Sequence, residues 1–423
     1  MKRLMVVFIL VTAMVVTGLS GVMAADRIKL GIIYPITGPM AHFGKLYVEA
    51  FRLYVDMINE SYDIDSPGDI IRSKGLRGLD VATIELVIAD TEGKPDVGQS
   101  EAERLITVKK VDVIMGAFQS SVTATTSQVA ERFGIPYLNP ASSSPKLTTR
   151  GLKWFFRTGP NEWSYVGSIM DFLKELNDKR TDVNIKTIAI VTEDTLWGQD
   201  SAMVAKKKAA ELGFKVAVEI SYPHEATDVE AEVLRVKRTN PDAIVMASYV
   251  TDAIIFQKRF KKYDVTAPII ANGTGHIVPD FLKAMGSDAN YVMSRQSWAD
   301  IIIESNPIAK KVDAALKKRY GPTNALVDIG ARTYVGFMTL MDAINRAGSK
   351  DPAAIQKALM ETDIPGKLLA LPWDGVKFDP KTHQNIYSRV MIIQYHDKVQ
   401  KVVWPWNLAE TKVMWNLPPW GKR

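Results

Sequence analysis

Short apolar runs alternate with longer amphipathic stretches along most of this chain of 423 residues, and no other feature constrains its fold as strongly. Each apolar run has the length of a buried strand, and each stretch between two runs has helical periodicity. Strands separated by helices pair in parallel, so the pattern predicts an α/β fold. The first series comprises strand 28–34, helix 42–59, strand 83–89, helix 97–108, strand 111–115, helix 122–133 and strand 135–138.

A second series of the same rhythm follows a break at residues 158–161 and predicts a second lobe. Three later helices, at 308–320, 328–347 and 352–361, have no obvious strand between them and are expected to cover the first sheet. Both lobes are then discontinuous and are joined by a multi-strand hinge, with a cleft between them. The predicted domains are a signal peptide (1–25), an N-lobe (26–159 plus about 299–385) and a C-lobe with a C-terminal strap (160–298 plus about 386–423).

Two serine-rich turns follow neighbouring strands of the predicted first sheet. Gln119-Ser120-Ser121 comes after one strand, and Ala141-Ser142-Ser143-Ser144 comes after the next. Parallel strands end at the same edge of a sheet, where hydroxyls, backbone N–H groups and helix N-termini converge on a ligand. A single serine pair before a helix is usually a simple cap. Two such turns with no charged residue favour a neutral carboxylate-binding corner.

The first 25 residues have the pattern of a secretory signal peptide. Lys2 and Arg3 precede an apolar core (4–19), and Val22-Met23-Ala24 has the small residues of a cleavage site, so the mature chain is expected to begin at Ala25 or Asp26. There is no cysteine, so no disulfide framework and no lipid-modified cysteine are possible. The prediction is an exported protein that is periplasmic or otherwise extracytoplasmic.

Composition and motifs argue against nucleic-acid binding and against common enzyme classes. The net charge of +6 falls to +4 when Lys2 and Arg3 are set aside, and the basic runs lie on helix faces. The five histidines are dispersed, and neither a HExxH motif, a Gly-x-Ser-x-Gly motif nor a P-loop occurs. No metal or cofactor is expected. A periplasmic hydrolase using the paired carboxylates Glu193 and Asp194 stays open as an alternative.

In this order, several short segments resemble the type I periplasmic solute-binding proteins of the branched-chain amino-acid class. The segments are Gly38-Pro39, Phe43-Gly44, 88–91, 102–106, Gly116-Ala117, 134–136, 139–141, Leu147-Thr148 and 156–158. The resemblance implies the type I periplasmic binding fold, with two doubly wound lobes. It also implies a monomer that captures a small molecule and delivers it to the permease of an ABC importer. A ligand-sensing receptor subunit of the same fold is the second possibility.

The resemblance also assigns candidate ligand-binding residues. It implies that Ser120, Ala141 and Ser143 hold a ligand carboxylate, that Phe43 packs on the ligand and that Trp197 closes over it. Ser121 and Ser142 neighbour this corner and have helix capping as an alternative role. Tyr249 and Asn272 follow two C-lobe strands at the same level of the cleft.

One departure from the resembling family concerns the ligand's ammonium group. Amino-acid binders of this class place a carboxylate after the strand that ends here at Ala271, but the turn contains Asn272-Gly273-Thr274-Gly275-His276. An ammonium would then depend on Glu193, Asp194 or Asp252, so an amide or an aromatic or other small acid becomes an alternative to an aliphatic amino acid. The Trp- and Pro-rich C-terminus (404–420) is expected to form an extended strap or, alternatively, a docking patch.

Overall fold

The structure is a computed structural model that describes residues 27–423, so the predicted signal peptide lies outside the described residues. The strands are β1 (Arg27–Tyr34), β2 (Thr83–Asp90), β3 (Val113–Gly116), β4 (Tyr137–Asn139), β5 (Phe155–Arg157), β6 (Thr187–Glu193), β7 (Lys215–Tyr222), β8 (Ala243–Ala247), β9 (Ile269–Ala271), β10 (Met293–Gln296), β11 (Asp363–Pro365), β12 (Gly375–Lys377), β13 (Met391–His396) and β14 (Val399–Trp404). The helices are α1 (Ala41–Glu60), α2 (Pro95–Thr107), α3 (Ser120–Phe133), α4 (Glu162–Lys179), α5 (Leu196–Leu212), α6 (Glu230–Thr239), α7 (Val250–Lys262), α8 (Pro279–Met285), α9 (Ile301–Ser305), α10 (Pro307–Tyr320), α11 (Asp328–Ala347) and α12 (Pro352–Met360). Among these helices, none combines the length and apolar character that spanning a membrane requires.

The first sheet has five parallel strands in the order β2-β1-β3-β4-β5. Successive side chains of β1 pack on opposite faces because strand side chains alternate. Ile32 joins the core cluster that includes α1 and α11, whereas Ile33 joins the cluster that includes α2 and α3. Tyr54 of α1 donates a hydrogen bond to the carbonyl of Gly330 in α11 at 2.9 Å. The late helix α11 therefore covers the first sheet, as the sequence predicts.

The second sheet has seven strands in the order β14-β13-β10-β9-β8-β6-β7. Strands β6 to β10 pair in parallel, whereas β13 and β14 form an antiparallel hairpin on one edge. Helices α4 and α5 contribute to the hydrophobic cluster on one face of this sheet. Helices α6 and α7 contribute to the cluster on the opposite face. The predicted α/β fold with two lobes is confirmed. The second sheet is mixed rather than wholly parallel, because no helix separates β13 from β14.

The chain passes between the two sheets three times. The passages lie between β5 and α4, between β10 and α10, and between residue 385 and β13. We call the part around the five-stranded sheet the N-lobe and the part around the seven-stranded sheet the C-lobe; the residue boundaries given above stay a prediction. Three adjacent passages allow bending between lobes more readily than sliding. The carboxyl ends of the parallel strands in both sheets face the cleft.

The C-terminal segment 405–423 packs along the C-lobe. The indole N–H groups of Trp404 and Trp406 both donate to Glu175 of α4, at 3.1 and 2.5 Å, and the indole of Trp420 donates to the carbonyl of Val265 at 2.9 Å. The extended course fits the expectation from the Trp- and Pro-rich composition. Trp404 itself differs from that expectation, because it is the last residue of β14.

Candidate functional site

The two serine turns lie together at the edge of the N-lobe sheet. The hydroxyl of Ser120, at the start of α3, accepts a hydrogen bond from the backbone N–H of Ser144 at 3.3 Å. Ser120 and Ser143 are both buried. The N-cap of α3 is Gln119, which makes no side-chain cap bond. No serine hydroxyl therefore caps this helix, and the positive end of α3 is directed at the corner.

The middle serine of the second turn has a structural role within the N-lobe. The hydroxyl of Ser142 contacts that of Thr123 at 2.5 Å and donates to the carbonyl of Ala117 at 2.9 Å. The side-chain oxygen of Asn139 accepts from the backbone N–H groups of Ala141 and Ser142, at 2.9 and 2.8 Å. These bonds fix the turn that presents Ala141 and Ser143.

A nearly filled cavity of about 20 Å³ lies between this corner and the C-lobe. Aromatic rings from both lobes close it: the ring centroid of Tyr249 lies 5.0 Å from that of Trp197 and 6.0 Å from that of Phe118. A volume of this size holds about one water molecule, so the lobes must separate to admit a ligand. The cavity is lined by Phe118, Ser120, Ala141, Ser142, Ser143, Trp197, Tyr249, Arg295 and Arg332.

Four of the predicted ligand-binding residues do not line this cavity. Ser121 lies beside it, and Phe43 is buried one layer behind it, with its ring centroid 4.4 Å from that of Phe118. Glu193 and Asn272 are hydrogen-bonded to other residues of the protein. Their assignment as direct ligand contacts stays a prediction that this closed geometry does not favour.

Glu193 uses its carboxylate at the start of α5. Its two oxygens accept from the N–H and hydroxyl of Thr195, at 2.8 and 2.6 Å, and from the N–H of Gly198 at 2.9 Å. Burial raises the pKa of Glu193, and these bonds oppose the rise. The carboxylate therefore satisfies the free N–H groups of a helix end, a role that local sequence cannot distinguish from ligand binding.

Behind the cavity lies a buried network of Glu162, Asn272 and Arg295. The Nδ2 group of Asn272 donates to Glu162 at 2.5 Å, and its Oδ1 atom accepts from Nε of Arg295 at 2.7 Å. Glu162 also accepts from the indole of Trp197 at 3.0 Å and from the hydroxyl of Ser201 at 2.9 Å. Burial raises the pKa of Glu162, against the opposing influence of Arg295 and of hydrogen bonds that include one with Ser143.

The second arginine of the cavity, Arg332, is held by the N-lobe. Its Nε donates to Asp328 at 2.8 Å, and its Nη1 donates to the carbonyl of Pro140 at 2.9 Å. Burial lowers the pKa of Arg332, but the combined influence of Asp328, Tyr165 and Tyr47 outweighs burial, so the pKa is raised. This guanidinium therefore fixes the residues just before the serine turn.

A larger cavity of about 320 Å³ opens on one flank of the cleft. It is contacted by Leu46 of α1 and by Leu282 of α8, so it also lies between the lobes. None of the candidate ligand-binding residues lines it. Among the described residues, no cluster of histidine, aspartate and glutamate has the arrangement of a metal site.

Two α/β lobes that close on a cavity of serine hydroxyls, aromatic rings and guanidinium groups define a binding protein with its site in an interlobe cleft. A family model described as periplasmic binding protein matches residues 27–398, and the chain belongs to that family. Its function is to bind a solute outside the cytoplasm. Family and fold are those of binding proteins and not of enzymes.

Individual relatives resemble the chain over most of its length. The Leu/Ile/Val-binding protein homolog 7 of Brucella abortus is 28% identical over 390 residues, which cover 90% of this chain and 92% of the relative. The leucine-binding protein LivK of Thermotoga maritima superposes with a TM-score of 0.74 at 22% identity, covering 89% of this chain and 97% of that chain. A third protein is a solute-binding protein of an ABC transporter from Rhodopseudomonas palustris in complex with 3,4-dihydroxybenzoic acid. It superposes with a TM-score of 0.73 at 22% identity, covering 89% of this chain and 95% of that chain.

Proposed function

We propose that the protein captures a small carboxylate-bearing ligand between its lobes and delivers it to an ABC importer. The observation that carries this proposal is the convergence of Ser120, Ala141 and Ser143 on one cavity with Trp197 and Tyr249 of the opposite lobe. Hydroxyl groups and the N-terminal end of α3 stabilise an anion here, and the buried guanidinium groups of Arg295 and Arg332 line the same cavity.

The relatives support a carboxylate as the common chemistry of the ligand. One is named for Leu, Ile and Val, another for leucine, and a third contains 3,4-dihydroxybenzoic acid. Amino acids and benzoic acids share only the carboxylate as an anionic group. We assign that shared group to the serine corner and the variable part of the ligand to the aromatic side of the cavity.

Closure of the C-lobe over the bound ligand is the signal that we propose for the importer's permease. Contacts already span the cleft: the hydroxyl of Ser144 donates to Asp200 of α5 at 2.5 Å, and Nζ of Lys146 lies 2.9 Å from the same carboxylate. Such contacts favour the closed form once a ligand fills the cavity. The proposal further includes a cleaved signal peptide and a monomeric mature protein.

A ligand screen followed by a measurement of closure tests this function. Compounds that co-purify are identified by mass spectrometry, and amino acids, amides and aromatic acids are screened for a rise in melting temperature. Small-angle scattering with the best binder is then expected to give a smaller radius of gyration than without it. A protein that binds no carboxylate, or that binds one without compaction, contradicts the proposal.

A further inference from the structure

Arg295 is the cavity's most unusual side chain, because two separate elements, the loop after β9 and helix α4, hold it in place. Its Nε donates to Asn272 after β9, and its guanidinium carbon lies 3.4 Å from the ring centroid of Tyr165 in α4. Gly273, with φ of +69°, leaves room for it: a Cβ atom there would lie 2.6 Å from the guanidinium. A guanidinium held by its edge and its face has a defined orientation.

The terminal nitrogens of Arg295 can donate hydrogen bonds to a ligand. Within residues 27–423, neither Nη1 nor Nη2 of Arg295 donates a hydrogen bond, although the residue lines the cavity. Arg332 differs, since its Nε is paired with Asp328 and its Nη1 donates to Pro140. A guanidinium with two free parallel donors matches the geometry of a carboxylate.

The carboxylates near the cavity are all occupied elsewhere, so a ligand ammonium would meet no anionic partner. No aspartate or glutamate lines the cavity. Glu193 satisfies the start of α5, Asp194 accepts from the N–H of His224 at 2.9 Å, and Asp252 accepts from the hydroxyl of Tyr222 at 3.1 Å. Glu162 lies behind Trp197 and Ser143, and its carboxylate is occupied by Trp197, Ser201 and Asn272. A buried ammonium facing Arg295 would therefore be strongly disfavoured.

From this geometry we propose that the ligand is a dicarboxylic acid without an ammonium group. One carboxylate binds the serine corner and the second binds the free Nη groups of Arg295, while Trp197, Tyr249 and Phe118 enclose the carbon skeleton between them. This inference rests on the proposed function, because it takes the serine corner as the site of the first carboxylate. Arg295 then determines specificity.

Calorimetry with matched ligands tests the inference. Diacids from succinate to suberate and the benzene dicarboxylates are each compared with the monoacid and the α-amino acid of the same skeleton. A diacid is expected to bind about 10- to 100-fold more tightly than its monoacid, because its second carboxylate forms a charge-assisted hydrogen bond with Arg295. The Arg295→Gln variant is expected to bring that ratio to within about threefold, because only the diacid loses a contact with a second carboxylate.

Arg150→Gln is the matched control, because Arg150 is a largely buried arginine of the N-lobe that donates to Ala124 and Ser127 and does not line the cavity. It is expected to leave the diacid-to-monoacid ratio as in the wild type. The inference is overturned if amino acids bind as tightly as the matching diacids, if no diacid binds, or if Arg295→Gln leaves the ratio unchanged. Tight amino-acid or monoacid binding with compaction would still support the proposed function, so the two failures are distinguishable.

Discussion

The two faces of the cleft are built on different principles. The two turns of the N-lobe face carry neutral groups, and Asn139 and Ser142 support the second turn from within it, although the distant Arg332 also holds Pro140. The C-lobe face uses a buried charge network in which Glu162, Asn272 and Arg295 come from distant parts of the chain. The difference implies that ligand affinity and stability are separable on the N-lobe face and coupled on the C-lobe face.

The largest effect is expected for Glu162→Ala. Removal of this carboxylate leaves buried donors of Trp197, Ser201 and Asn272 without an acceptor and leaves Arg295 without its nearest anion. We expect a loss of about 3–5 kcal/mol in the free energy of unfolding, measured by urea denaturation. Ligand affinity should fall as well, because Asn272 no longer positions Arg295.

Glu175→Ala is the control on the same helix. Glu175 also accepts indole N–H groups, from Trp404 and Trp406, but it lies at the periphery of the C-lobe. Its removal is expected to cost about 1 kcal/mol in unfolding free energy. Ligand affinity should stay at the wild-type value. Equal losses of stability in the two variants would contradict the coupling proposed for the C-lobe face.

The N-lobe face should show the opposite behaviour in the double variant Ser120→Ala and Ser143→Ala. The hydroxyl of Ser120 is predicted to donate to a ligand carboxylate, whereas that of Ser143 is shared with Glu162, so affinity is expected to fall by about 10- to 100-fold by calorimetry. The free energy of unfolding should change by only about 1–2 kcal/mol, since neutral hydrogen bonds are lost. Ser121→Ala is the matched control outside the cavity. If the double variant kept the wild-type affinity, the serine corner would not bind the ligand.

The same contrast explains how far the sequence alone predicts the site. The serine corner is predictable because each turn directly follows an apolar run, and strand order places the two turns side by side. Arg295 is not, because β10 contains Met293-Ser294-Arg295-Gln296, which is neither apolar nor alternating. Glu162 has the ordinary position of an acid in a first helical turn. Its burial depends on residues as far along the chain as Asn272, which no local pattern encodes.

For the fold, the sequence predicts most elements of both sheets, since a buried parallel strand and an amphipathic helix differ clearly in period. Strand β1 begins one residue before its predicted start and ends where predicted, and α3 ends at its predicted last residue. The sheet strands β5, β10, β13 and β14 are missed. Strands β5 and β10 have only three or four residues and are buried by their neighbours in the sheet, so their own sequences carry too little periodicity. The six-residue strands β13 and β14 lie next to the Trp- and Pro-rich C-terminus, where the sequence predicts an extended strap instead.

A pH effect of intermediate size is expected at His276, which follows β9 on the C-lobe face. Burial lowers its pKa from 6.5 to about 3, and neither ring nitrogen has a partner among the described residues. The unfolded chain binds the proton more readily, so the stability is complete above about pH 6.5 and declines as the pH falls toward 3. At pH 5 the expected loss is about 2 kcal/mol.

Urea denaturation of His276→Leu at pH 7 and pH 5 measures this contribution. The variant should lose less stability between the two pH values than the wild type, by about 2 kcal/mol. His396→Gln is the control, since His396 is half-buried and its ring has Gln394 as a partner; its effect on the pH dependence should be smaller. An unchanged pH dependence in His276→Leu would show that the imidazole is protonated equally in both states.

The smallest effect is expected where the two faces meet, at Asp200. Asp200→Asn keeps an oxygen for the hydroxyl of Ser144 but removes the charge that attracts Lys146, whose side chain is 59% exposed. An exposed cation of this kind contributes up to about 1 kcal/mol, so ligand affinity should fall by no more than about fivefold. Added salt should lower the ligand affinity of the wild type toward that of the variant. Glu219→Gln, which breaks a surface pair with Lys206 inside the C-lobe, should have neither effect. If Asp200→Asn and Glu219→Gln behave alike, the pair between Lys146 and Asp200 does not favour closure, and the closed state depends on the ligand and the aromatic contacts alone.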